Sequence, residues 1–161
     1  MAAQLGAPAA AMRAHQELIR YWAGLRRGDR LPARRDLRPE GFKRLLPTVS
    51  LIERPQEIND YRLRLAGTGL YSVYGGEITG RTLADVFTRS AADYWRGELD
   101  AVVTSRKPSV GCHNLAWRGA GHMSLLWLRL PLASNGVDVD MILGYDALVG
   151  SRAEATGIRA A

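Results

Sequence analysis

Few residues in this chain are equipped for covalent or metal chemistry. His15, His113 and His122 are the only imidazoles, and Cys112 is the only thiol, in 161 residues. Cys112 and His113 are neighbours in a run with strand-like pattern, so their side chains leave opposite faces and do not readily share a metal ion. No second pair completes a metal site. No Gly-x-Ser-x-Gly elbow and no Ser/His/acid grouping is present for nucleophilic catalysis. Asp138 and Asp140 alternate out of the run Val137–Tyr145 on one face, as solvated strand carboxylates do. Gly67-x-Gly69-x-x-Ser72 lies between a strand pattern and a helix pattern, where a dinucleotide fingerprint belongs. Its third glycine is replaced by Ser72, and the later strands come as hairpins rather than βαβ units. The expectation is no catalytic residue and no metal site.

Charge is more prominent. The chain carries a net charge of +6, and most of it lies between residues 26 and 44. Arg26, Arg27, Arg30, Arg34, Arg35, Arg38, Lys43 and Arg44 face only three acids there, Asp29, Asp36 and Glu40. Such a segment could attract nucleic acid, an anionic nucleotide or anionic lipid. Phe42 is its one aromatic, so it lacks the series of interleaved aromatics that base stacking uses, and the acids dilute it. The competing reading is a solvated connector whose arginines pair elsewhere, so nucleic acid is not the expected partner.

The elements that must position these groups follow from pattern. His15–Arg26 reads as a helix with Leu18, Tyr21, Trp22 and Leu25 on one stripe. A short helix begins near Pro39 and stops at Pro47. Thr48–Glu53 and Tyr61–Ala66 read as strands, the second alternating cleanly. Short helices follow at Leu70–Tyr74 and Leu83–Phe87. Ser90, with Asp93 three residues on, offers a cap for a longer helix ending at Lys107-Pro108. Ser109–Trp117, His122–Leu130 and Val137–Tyr145 are strands joined by hairpin turns. This order describes an α+β domain with one antiparallel sheet.

Composition agrees with one globular domain: 47% hydrophobic and 24% charged residues, with a lone cysteine that excludes an internal disulfide. The most apolar stretch, Met123–Ala133, falls far short of the ~20 residues that span a bilayer. The expected location is the cytoplasm.

From Thr48 to Val149 the chain resembles a PAS domain. Gly80-Arg81-Thr82-Leu83-Ala84-Asp85-Val86-Phe87 is similar to the Gly-Arg-x-Leu-x-Asp segment at that family's short central helix. Gly119-Ala120-Gly121 with Trp127, and Pro131, Gly136 and Ile142-Leu143-Gly144-Tyr145-Asp146, resemble its closing hairpins. Tyr21-Trp22, Leu25-Arg26, Leu31-Pro32, Arg35-Asp36-Leu37, Pro39, Leu45-Leu46-Pro47 and Arg64-Leu65-Ala66-Gly67-Thr68 extend the likeness to a bacterial family of single-domain PAS proteins with a helical N-terminal extension. The resemblance implies a five-stranded antiparallel sheet with a helical crossover and a sensory or protein-interaction role. The boundaries expected are a disordered lead-in at 1–14, the helical extension at 15–47, the PAS-like domain at 48–149 and a flexible tail at 150–161.

The resemblance also says where a ligand would sit, between the helices and the inner face of the sheet. Tyr71, Tyr74, Phe87 and Trp95 are the candidate lining, with His113 or Asn114 as polar anchor; the competing reading is that these aromatics simply fill the core. Haem-binding PAS members carry a histidine on the long helix, and Ser90–Arg106 has none. Photoactive flavin members carry an Asn-Cys-Arg segment near the short helices, whereas Cys112 falls on a strand. No cofactor is therefore expected. The run His122–Leu130 is apolar on both faces, so something must cover its outer side. The stripe Leu18, Tyr21, Trp22 and Leu25 is the natural cover, from the same chain or from a second copy, and a two-fold homodimer is the expectation. Signalling would pass to an unidentified protein partner, with or without a small-molecule ligand as gate. The alternatives are a nucleic-acid or nucleotide binder through Arg26–Arg44 and an enzyme on a related cone-shaped α+β fold.

Overall fold

A computed structural model describes residues 6–150 of the chain. Helix α1 (Pro8–Leu25) starts seven residues before the helix read from sequence. The Ala-rich stretch taken as part of a disordered lead-in is thus helical from Pro8. Proline suits the first turn, alanine has the highest helix propensity, and Ala11 and Ala14 are small enough to lie against the sheet. Gly150, the first residue of the tail expected at 150–161, ends β5, and the rest of that tail and residues 1–5 lie outside the described residues.

After α1 the chain runs through two 3₁₀ segments, Arg34–Asp36 and Pro39–Thr48. It then forms β1 (Val49–Glu53) and β2 (Arg62–Ala66). The crossover is α2 (Leu70–Tyr74), α3 (Leu83–Val86) and α4 (Arg89–Ser105). Strands β3 (Ser109–Leu115), β4 (Ala120–Leu132) and β5 (Met141–Gly150) complete the domain. All five strands form one antiparallel sheet in the order β2-β1-β5-β4-β3. This is the α+β arrangement expected from the strand pattern.

Local chemistry explains the joints. Gly67 passes so close to the preceding 3₁₀ segment that a side chain there would land on the Leu46 and Pro47 carbonyls. The glycines of the apparent dinucleotide fingerprint therefore serve a close backbone crossing. Thr82 and Asp85 cap α3 reciprocally: Thr82 Oγ accepts from the Asp85 amide, and the Asp85 carboxylate accepts from the Thr82 amide. The cap of α4 is Thr88, whose hydroxyl accepts from the Ala91 amide, not Ser90 as the spacing suggested. Asp138 and Asp140 precede β5 instead of alternating from it. Asp140 accepts from the Ser134 amide and hydroxyl, and Asp138 from Asn135, so both carboxylates tie the β4–β5 turn.

The sheet buries both faces. Inward, Met123, Leu125 and Trp127 of β4 meet Trp95, Leu99 and Val102 of α4. Outward, Leu128, Leu130 and Leu132 meet Ala14, Leu18 and Trp22 of α1. Trp22 also donates its indole N–H to the Pro131 carbonyl at 2.8 Å. The cover over β4 is therefore the chain's own helix. Leu18 and Trp22, expected at a dimer interface, are 0% and 3% exposed within one chain. Tyr21 is only half-buried, and its hydroxyl bonds the Arg38 backbone. Leu25 is also half-buried, at the end of the helix. The stripe is spent inside the molecule because a single chain already supplies its apolar complement.

Candidate functional site

The inner face of the sheet is closed by a charge. Arg129 on β4 stands where the Met123-Leu125-Trp127 alternation continues inward, and it is 3% exposed. Its Nη1 donates to Asp146 Oδ1 at 2.9 Å and to the Leu128 carbonyl at 2.9 Å. Asp146, on β5, is fully buried, and its Oδ2 accepts the Tyr74 hydroxyl at 2.7 Å. The guanidinium lies over the Trp95 ring at 4.7 Å and near the Trp127 ring at 5.7 Å. Burial by itself would lower the Arg129 pKa, but the Asp146 carboxylate overrides it and holds the guanidinium above its ordinary value. Burial, reinforced by Asp146, pushes the Tyr74 hydroxyl well up, so it remains a donor.

The register makes this possible. Arg129 pairs across the ladder with Gly144, and Asp146 is the diagonal neighbour two residues on. A Cβ at position 144 would stand 2.5 Å from Ser50 Oγ and 3.2 Å from Arg129 Nη1. Gly144→Val is accordingly expected to cost about 1–3 kcal/mol by overpacking. Urea denaturation checks this; an unchanged midpoint would mean that Arg129 does not occupy this space.

The cluster leaves little room. The cavity among Ser50, Ile52, Tyr74, Phe87, Trp95 and Arg129 measures ≈10 Å³. That is about one water molecule, and neither a flavin nor a haem fits. Of the residues expected to line a ligand pocket, Tyr74, Phe87 and Trp95 do meet here, but as core. Phe87 packs edge-on to Tyr74 at 5.5 Å and lies 6.2 Å from Trp95. Tyr71 points away and is 61% exposed, because Leu70 and Val73 take the inward positions of α2. His113 faces inward and stacks on Tyr94 of α4 at 4.2 Å. Asn114 leaves the other face of β3 and bonds the Gly121 and Met123 carbonyls, so it fastens the β3–β4 hairpin instead of anchoring a ligand. Sequence reasoning missed Arg129 and Asp146. Their signal was a lone charge at an inward position of an otherwise apolar strand.

His15 and His113 carry a second electrostatic signature. Burial lowers the pKa of both below 6.5; Arg129 also lowers that of His15, while the Leu126 carbonyl and Asp146 oppose the shift. Below pH 6.5 the unfolded chain thus binds more protons than the folded one. The stability gained by keeping these rings neutral is present above pH 6.5 and is lost as pH falls toward the folded values. The slope is up to about 1.4 kcal/mol per pH unit for each ring. Urea midpoints measured on either side of pH 6.5 should fall with acid, and less so for His15→Gln. A midpoint that rises on acidification contradicts this.

The arginine-rich segment runs beside the β4–β5 turn and the C-terminal end of α4. Arg30 donates to the Asn135 carbonyl at 2.5 Å and Arg35 to the Ser134 carbonyl at 3.1 Å, which fastens the extension to the β4–β5 turn. Arg26 stacks over Trp22 at 5.2 Å. Arg27 and Arg34 are exposed or nearly so. Among the described residues none of these five arginines forms an ion pair. The same residues contain no cluster of three or more metal-ligating side chains, and no helix long and apolar enough to cross a membrane.

Comparison with known proteins agrees with this architecture. Among solved structures, the LOV protein of Rhodobacter sphaeroides is similar, with a TM-score of 0.51 and 11% identity, over 74% of this chain and 72% of that one. The RsLOV d2 variant matches with a TM-score of 0.50 and 13% identity, over 64% of this chain and 59% of that chain, less than two thirds of its length. At such identities the likeness speaks for the fold alone. No curated protein matches the chain. A family model described as a PAS domain matches residues 10–147, from the sheet-covering helix to the strand that carries Asp146. With nearly all of the extension and of the five-stranded sheet inside that match, the chain belongs to the PAS domain family.

Proposed function

We propose that this chain is a cytoplasmic regulatory PAS module, not an enzyme, and that it works by binding another protein. Membership of the PAS family supports the sensory, regulatory role. The observation that carries the reading is the interior closed by Arg129, Asp146 and Tyr74, with ≈10 Å³ left beside them. A signal then has to be received and passed on at the surface. A second copy of the chain is one such partner, through a face other than the buried Leu18 and Trp22.

Among the described residues the large apolar side chains left in water are few: Met12, Leu65, Tyr71, Val110 and Val137. A photo-crosslinking residue placed at each in turn, in the source cell, tests the reading. Discrete adducts are expected from positions on one face and not from the others. Absence of any adduct from all five positions would overturn it.

A further inference from the structure

On the outer side of the sheet, beside the 3₁₀ segments of the extension, lies a cleft of ≈570 Å³. That volume is in the range of small-molecule sites. Its floor is apolar: Leu46 and Leu37 from the extension, and Val49, Leu51 and Leu65 from β1 and β2. Leu65 is 50% exposed there, although a leucine on a sheet face normally finds cover. The rim is cationic. Arg34, Arg35 and Arg38 line one side, and no carboxylate lines the cleft. Asp36, the acid between them in sequence, turns away and caps the Ala33 amide at 2.8 Å. Arg35 and Arg38 donate only to backbone carbonyls, so none of the three charges is neutralised by an acid among the described residues.

We infer that this cleft binds a small single-chain anionic amphiphile, with its apolar chain on the Leu46–Leu51–Leu65 floor and its oxyanion head against Arg34, Arg35 and Arg38. A neutral apolar ligand would leave the three guanidiniums without a counter-charge. A purely polar anion would leave the leucines in water. Guanidinium groups suit a terminal carboxylate because their paired N–H donors match its two oxygens. The cleft lies between the extension and the β1–β2 edge, so occupancy would alter the surface offered to a protein partner. That regulatory consequence rests on the function proposed above, but the binding does not.

The test uses the purified chain and dodecanoate below its micelle-forming concentration, followed by calorimetry and by backbone amide NMR. One equivalent is expected to bind, with shifts at Leu46, Leu51 and Leu65 and none at the Trp95 indole. Arg34→Gln/Arg38→Gln should weaken binding at least tenfold, on the order of 1.4 kcal/mol or more. Leu65→Asp, at an exposed position, should abolish it while the circular dichroism spectrum is unchanged. Dodecyltrimethylammonium, with the same chain and the opposite charge, should not bind. The inference is overturned if dodecanoate does not bind, if it binds both variants as tightly as the parent, if the ammonium binds equally well, or if the shifts map to Trp95. Failure here would leave a positive crosslinking result standing, and failure of the crosslinking would leave a positive titration standing.

Discussion

Trp22→Ala is expected to lower folding stability by about 3–5 kcal/mol without changing the oligomeric state. The indole is 3% exposed and packs in the cluster formed by Leu18, Leu130, Leu132 and Leu143. Its N–H also satisfies the Pro131 carbonyl. Alanine removes a large apolar surface, leaves a cavity between helix and sheet, and strands that carbonyl. For a domain whose whole stability is about 5–15 kcal/mol, the loss is severe. Urea denaturation of parent and variant measures it, and light scattering at matched concentration separates it from dissociation. A variant that keeps its stability but falls from dimer to monomer would show that Trp22 covers a second copy instead.

Arg129→Met is expected to cost a similar amount, about 3–5 kcal/mol, for a different reason. Methionine matches much of the arginine stem, so packing loss is small. What remains is Asp146, fully buried and without its cation. The Tyr74 hydroxyl still donates to it, but one neutral hydrogen bond does not replace an ion pair. The pair is 3% and 1% exposed, so added salt should change this cost little. Thermal or urea unfolding reads the effect; a cost near zero would mean that the carboxylate reaches water.

The parts of this fold that could be read from sequence are those set by local pattern. The alternation of Tyr61 and Leu63 marks an edge strand with a buried inner face, but Leu65, which the pattern puts on that same face, is turned to the outer side by a bulge that pairs it with Leu51 while Leu63 pairs with Ile52. The apolar residues on both sides of β4 required two covers, and two covers exist, α4 and α1. The first turns of α1 were missed because Ala11 and Ala14 contribute so little hydrophobic signal, although small side chains are what let the helix approach the sheet. Tyr71 was misplaced because a five-residue helix shows too few turns for its buried face to be deduced.

The inner ion pair was not legible for another reason. Arg129 and Asp146 are 17 residues apart on two strands, and nothing local fixes the register that makes them diagonal neighbours. Gly144, opposite Arg129, holds the space for the guanidinium, yet in the sequence it reads as part of a family pattern with no stated purpose. The same limit applies to the outer cleft. Its arginines stood out by composition, but their leucine floor comes from strands that the sequence does not place beside them.

The claim that the chain's own charges occupy the PAS interior is tested most directly by a double-mutant cycle on folding stability with Arg129→Met, Asp146→Leu and the two together. Each single variant should lose about 3–5 kcal/mol, because each leaves one buried charge without its partner. The double variant should return close to the parent or exceed it, since an apolar pair of similar volume carries no desolvation cost. If instead the two single costs are small, or simply add in the double variant, the two groups are not paired in a closed interior, and the account of this site is wrong.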